Sequence, residues 1–256
     1  MLSLLPNQTN LTHDHELDIP NVLDGLKESQ RKVLYACLKK RLTSQTKVAQ
    51  LAGSVAEITQ YHHGEQNLLD TIVKLAQNFV GSNNIPYLTR DGQFGSLLEG
   101  GEDSAAARYI YTCLEKTTRL LFREEDDAVL NYVVSDGETV EPEYYLPVLP
   151  MILVNGCSGI GTGWSSSVPA HNPKDLIHWI KEWISNESEG DIEVEHEDLV
   201  PWYNNFTGSI TLDIGIHNLF AFLVWSCRAG QAASVPGGRR QGRALPNHAC
   251  RALPAH

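Results

Sequence analysis

The chain has 256 residues, 42% hydrophobic and 20% charged, with a formal net charge of −11, the balance of a soluble globular protein with one large or two modest domains. Five cysteines stand singly with no CxxC pair, which argues against a disulfide framework or zinc knuckle and for a reduced, intracellular setting. MLSLLPNQTN lacks a cationic start, and the longest apolar run, LFAFLVW, is far too short to cross a bilayer, so neither a signal peptide nor a membrane span is expected.

Residues 1–17 read as a loose polar segment. Asp24-Gly25 marks a turn, and 27–42 (KESQRKVLYACLKKRL) has helical period, with Val33, Leu34, Cys37, Leu38 and Leu42 on one arc. Segments 47–60 and 65–79 read as two further helices separated by YHHG. GSNNIP breaks the chain, and YLTRDGQFGSLL reads as a hairpin turning at Asp91-Gly92. A compact set of helices followed by a hairpin is the α+β pattern of a winged-helix, catabolite-activator-like domain. The spacing next predicts a helix over 103–122, capped by Asp103 or Ser104. Its buried stripe would be Ala107, Ile110, Leu114 and Leu121, with Tyr111 at the flank and Arg108 and Tyr109 facing away from the core. After an acidic loop come a strand at NYVV, the proline-punctuated EPEYYLPVLPMILVNG, and an amphipathic helix over 173–185 that begins at a proline. An acidic segment, 187–198, leads into VPWYNNFTGSITLD, which reads as strand.

Beyond Asp213 the composition changes abruptly. Residues 214–256 contain no Asp, Glu or Lys but five Arg, and RALP occurs twice. The tail reads either as disordered linker or as a segment not native to the domain.

The overall negative charge argues against a nucleic-acid partner, but local charge is what a phosphate backbone feels. Between Lys27 and Lys47 seven Lys or Arg face a single acid, Glu28, and Lys32, Lys39 and Lys40 gather opposite the apolar arc. Tyr61-His62-His63-Gly64-Glu65 offers two imidazoles. Adjacent His residues on a loop rarely share one ion and no third ligand is spaced for it, so hydrogen bonding to phosphate suits them better than a metal. Exposed tyrosines beside arginines are common, and Arg108-Tyr109 gains weight only from these neighbours.

Four stretches together carry a resemblance: IPNVLDGLKESQRKVLYACLKK, KVAQLAGSVAEITQYHHGEQNLLDTIVKLAQNFVGSNN, GGEDSAAARYIYT and EPEYYLPVLPMILVNGCSGIGTGWSSSVP. They closely resemble the DNA breakage–reunion region of eukaryotic-type DNA topoisomerase II, from about Asp18 to Asp213. The resemblance implies a winged-helix domain over 18–164 and a truncated α/β tower domain over 165–213, with 214–256 as a non-family tail. It implies that Tyr109 attacks a DNA phosphodiester to leave a 5′-phosphotyrosyl link, with Arg108 supplying charge to the phosphate. Arg31 and one of His62 or His63 match positions around the scissile phosphate, and Lys32 and Lys39 would hold the flanking backbone. Ile160 would wedge between base pairs and bend the duplex. The partners implied are double-stranded DNA, a second copy in a homodimer, and the Toprim and ATPase domains of a parent enzyme. Those domains would bind Mg²⁺ and ATP, and the setting implied is the nucleus.

Departures accompany the match. FGSL and GGED stand where the family carries FGTR and GGKD, so Leu97 and Glu102 replace two cations, and Lys-Glu-Ser at 27–29 replaces Lys-Pro-Gly. The Toprim EGDSA run and DxD pair do not occur, nor does an ATP-binding domain. A non-catalytic DNA-binding module is therefore the competing reading. A nucleotide site at Gly159, Gly161 and Gly163 is a third, disfavoured because the spacing is GxGxG and Pro169 and Pro173 prevent a prompt helix.

Overall fold

In the computed structural model, which describes residues 19–62, 64–135, 137–161, 164–189, 199–214 and 223–228, three amphipathic helices form the centre of the core. Helix α1 (Glu28–Lys39) starts where the Lys27 amide donates to Gln30 Oε1 at 2.9 Å, with Glu28 in its first turn and Lys39 in its last, both favourable to the helix dipole. Helix α2 (Val48–Thr59) buries Val48, Leu51, Ala52 and Val55. It ends at Gln60, whose φ of 49° is left-handed. Helix α3 (Glu65–Ala76) contributes Leu68, Ile72, Val73 and Leu75. All three pack on one another, and truncating such a core leucine to alanine costs about 2–5 kcal/mol. These helices lie where the apolar period places them.

The next segment does not. No long helix spans 103–122. Residues 107–109 form a turn, β2 (Tyr111–Thr112) is extended, Leu114 makes an isolated bridge, and only α4 (Thr118–Leu121) is helical. Ile110, Tyr111 and Thr112 are 1%, 36% and 0% exposed, the alternation of a strand, and β-branched and aromatic residues suit that backbone. Ile110 and Leu121 are buried as their apolar character demands, but by separate elements. The strand has two ready partners. β1 (Thr46–Lys47) pairs antiparallel with it, Thr46 opposite Thr112, while Asp91 and Tyr111 exchange backbone hydrogen bonds of 2.9 and 3.0 Å. Thr112 also donates its hydroxyl to the Thr89 carbonyl at 2.7 Å. Asp91-Gly92 is therefore not the turn of a tight hairpin. Gly92 opens a long loop whose returning arm meets Gln93 O through the Ala105 amide at 2.9 Å and passes beside Gly92 at Ile110. Its φ of 110°, and the 2.8 Å that would separate an added Cβ from Ile110 Cγ2, require glycine there.

Downstream, β3 (Tyr132–Ser135) pairs with β4 (Glu138–Pro142), and β4 packs against α1. A one-turn helix, α5 (Met151–Val154), leads into the antiparallel pair β5 (Cys157–Gly161) and β6 (Trp164–Val168), followed by α6 (Pro173–Glu189). The chain divides into two compact units, 1–205 and 206–256. In the second, β7 (Ser209–Ile214) pairs with β8 (Leu223–Arg228) in regular antiparallel register. Strand structure thus extends into the segment whose composition suggested none. Residues 1–17 and the tail beyond 228 lie outside the described residues. The fold class is mixed, helices with small two-stranded antiparallel sheets. No helix among the described residues is long and apolar enough to cross a membrane.

Candidate nucleic-acid interface

Helix α2 begins without a side-chain cap, its N-cap being Lys47. Its first free amides are taken instead by carbonyls of the tyrosine turn. Val48 N–H donates to Ile110 O at 3.1 Å and Ala49 N–H to Ala107 O at 3.2 Å. The turn closes with the Tyr109 amide on Ala106 O at 2.8 Å, and the buried Ile110 side chain pins its far end. Backbone bonds and one apolar anchor thus fix the turn and leave its side chains free. Tyr109 is 66% exposed, Arg108 is exposed, and the Arg108 guanidinium carbon lies 4.9 Å from the Tyr109 ring centroid. A permanent cation is stacked on the exposed phenol. The exposure expected of both residues holds, although the element that presents them is a turn before a strand.

The loop leading to this turn is organised by two side chains that no motif singles out for the task. Gln77, buried at the end of α3, donates through Nε2 to Phe94 O (2.8 Å) and Gly101 O (3.2 Å). Asp103 accepts from the Ser96 amide (2.6 Å) and from Gln93 Nε2 (3.1 Å). Hydrogen bonds from Ser96, its backbone amide foremost, hold the Asp103 carboxyl below the ordinary carboxylate range. Asp103 therefore braces a loop rather than capping a helix. The tip of this loop exposes Leu97 (58%) and Leu98 (82%) beside the exposed acids Glu99 and Glu102, an apolar and acidic lip.

The cations of α1 divide into two kinds. Arg31 is buried, its Nε on Asp24 Oδ2 at 2.8 Å and its Nη2 on Asp24 Oδ1 at 3.1 Å and Leu26 O at 3.0 Å. Asp24 also accepts the amides of Leu26 and Tyr145, each at 2.9 Å. Lys32, expected on an outward face, is 7% exposed. Its Nζ meets Glu141 Oε1 at 2.5 Å and Thr59 O at 3.3 Å, with Glu28 Oε1 at 3.5 Å. The physical reason is β4, which covers the polar side of α1 and brings Glu141 with it. Lys39 remains exposed, 5.1 Å over the Tyr35 ring with Nζ donating to Tyr35 Oη at 3.1 Å. It borders a cleft of about 390 Å³ in which Arg41 pairs with Glu124 at 2.6 Å and Arg119 with Asp127 at 2.7 Å. His62 is exposed, and His63 lies outside the described residues. Ile160 occupies β5 opposite Ser165, its side chain also outside them. The structure thus brings Arg108 and Tyr109 together on one turn, and places Arg31 and Lys32 in the interior of the first helix. Sequence reasoning does not mark Asp24 or Glu141 as site residues. Asp24 is legible as part of a turn, but nothing local ties Glu141 to a lysine 109 positions earlier.

Residues 18–221 match the family model that describes the A subunit of DNA gyrase/topoisomerase IV. The mitochondrial DNA topoisomerase 2 of Dictyostelium discoideum is 53% identical over 195 residues, 76% of this chain and 15% of that protein. DNA topoisomerase 2 of Saccharomyces cerevisiae is 55% identical over 197 residues, 77% of this chain and 13% of the relative. Among solved structures, the DNA-binding, cleavage and re-ligation domain of Plasmodium falciparum topoisomerase II superposes with a TM-score of 0.74 at 51% identity, covering 78% of this chain and 26% of that one. The chain thus spans only a small fraction of its relatives' length. A family match over most of the sequence, joined to the same fold at this identity, means that the chain belongs to the DNA gyrase/topoisomerase IV family of DNA breakage–reunion proteins and corresponds to the breakage–reunion region of the eukaryotic type II enzymes.

Proposed function

We propose that this chain is the part of a type II DNA topoisomerase that cuts and reseals duplex DNA, with Tyr109 as nucleophile. The observation that carries the reading is the exposed Tyr109 stacked with Arg108 on a turn that α2 holds rigid. In the proposed step Tyr109 Oη bonds to phosphorus and the P–O3′ bond breaks. The phenol proton passes to a base and the departing 3′ oxygen takes up a proton, leaving a 5′-phosphotyrosyl ester and a 3′ hydroxyl. The phenol must lose its proton as it attacks, and the crowded phosphate requires positive charge, which the Arg108 guanidinium supplies. Because the ester conserves the energy of the broken bond, the reverse attack by the 3′ hydroxyl reseals the strand.

In this reading residues 18–164 are a winged-helix domain and 165–213 the start of a tower, with Ile160 as the bending wedge and Lys39, His62 and His63 at the backbone. Residues 214–256 are a tail outside the family. Arg31 and Lys32 would reach DNA only by exchanging their present carboxylates for phosphate, so their first contribution is to shape α1. Strand passage, the homodimer and nuclear residence belong to a parent enzyme. So do Mg²⁺ and ATP. Among the described residues no three His, Cys, Asp or Glu side chains gather into a group able to hold a metal ion.

The test combines this chain with a separately expressed Toprim-containing fragment, Mg²⁺ and a nicked suicide DNA substrate. A covalent protein–DNA adduct on a denaturing gel, absent in Tyr109→Phe, supports the nucleophile. Salt-sensitive binding without an adduct would overturn it in favour of a non-catalytic DNA-binding module, a reading favoured by the acidic lip at Leu97–Glu102.

A further inference from the structure

The segment after α3 is the hub from which the β5–β6 hairpin is held. Asn83 Nδ2 donates to the Lys74 and Gln77 carbonyls at 2.7 and 2.8 Å, tying the segment to the end of α3. The next residue, Asn84, is 8% exposed and spends its whole amide on backbone far away in sequence. Its Nδ2 donates to Val154 O (2.8 Å), Trp202 O (3.1 Å) and His171 O (3.3 Å), and its Oδ1 accepts from the Asn204 amide (2.8 Å). Asn155 answers from the opposite side. Its Oδ1 accepts from Ile85 N and its Nδ2 donates to Ile85 O, both at 2.9 Å, a side chain imitating a strand partner.

These bonds converge on the root of one element. Val154 and Asn155 lead into β5, and Ala170 and His171 leave β6. The two sides are joined by His171 N–H on Leu153 O at 2.8 Å and by Trp202 N–H on Ala170 O at 2.8 Å. Gly156 completes the junction. With φ of 71°, it lies where an added Cβ would come within 2.7 Å of Val168 O, so the two strands leave the root in close contact. A buried amide that contacts four backbone groups from separate segments, its two N–H shared among three carbonyls, is costly to replace, because those groups lose a partner where water is scarce.

We propose that Asn84 is a positioning residue that fixes the β5–β6 hairpin on the three-helix core and thereby sets how firmly the hairpin deforms bound DNA. The DNA half of this proposal rests on the wedge reading of Ile160; the positioning half does not. Asn84→Asp preserves shape and the Asn204 contact but sets oxygen against three carbonyls. Asn155→Asp keeps the contact with the Ile85 amide and sets oxygen against one carbonyl, that of Ile85, and is the gentler variant. In the 256-residue chain, amide hydrogen exchange over 157–168 should quicken by roughly tenfold or more in Asn84→Asp and by less in Asn155→Asp, while α2 stays as in wild type. On a duplex labelled at both ends for energy transfer, Asn84→Asp should bind but lose the bend. Exchange that is unchanged over 157–168, or that rises equally in α2 in both variants, overturns the proposal, as does full bending by Asn84→Asp. Should the wild-type chain bind without bending, the wedge reading fails while the exchange result still judges Asn84.

Discussion

The turn at 107–110 and the interior of α1 both present arginine beside a reactive or acidic group, and they use it in opposite ways. At the turn, backbone bonds to α2 and the Ile110 side chain carry the structure, so Arg108 and Tyr109 stay exposed. Inside α1 the charges themselves carry the structure, with Arg31 on Asp24 and Lys32 on Glu141, all four at most 7% exposed. One Glu141 oxygen, Oε2, has no hydrogen-bond partner, so even this interior is not fully satisfied. A group available for chemistry must be held by something other than its own charge.

Substitutions in the buried ion pairs that α1 makes with Asp24 and Glu141 should be the most damaging to the fold. Asp24→Ala strands a buried guanidinium and two amides, and should cost about 3–5 kcal/mol in urea denaturation. Lys32→Met alone should cost a similar amount, about 3–5 kcal/mol, by orphaning Glu141, whereas Lys32→Met with Glu141→Leu should cost clearly less than either single change. Additive costs would show that the pair is not coupled.

A buried imidazole refines the contrast through pH. Burial pushes the His171 imidazole below its ordinary value, opposed in part by hydrogen bonds to the Leu153 and Pro169 carbonyls. Its folded pKa is thus below the unfolded one. The stabilisation is full above about pH 6.5 and is lost as the pH falls below that toward the folded value. Urea stability should therefore drop between pH 7.5 and 5.5, and His171→Gln should flatten that part of the profile. An unaltered slope in the variant would assign the drop to other groups.

The smallest effects belong to the turn. Tyr109→Phe and Arg108→Ala should each change stability by less than about 1 kcal/mol, the scale of an exposed cation–π contact. A larger loss in either would mean that the turn leans on these side chains, and the contrast with α1 would break.

Chain-local pattern determined the three helices, α6 and the strand near 132, because a 3.6-residue apolar period or an alternation is complete within one element. The exposure of Arg108 and Tyr109 was expected from a helix that does not form, and the turn that presents them is a tertiary outcome. The family resemblance was likewise legible, being carried by long contiguous stretches. What only the tertiary structure decided is whatever depends on a partner distant in sequence. The stretch 103–122 has enough apolar residues for a helical stripe, yet β1 and the 88–91 segment offer it backbone partners, so Ile110 to Thr112 are extended. The period of its own helix leaves Lys32 to solvent, and β4 reverses that by covering the face with Glu141. Asn84 reads as part of a chain break, since its four partners lie far along the sequence. A residue's own period says which side of an element it occupies; what lies against that side is decided by packing.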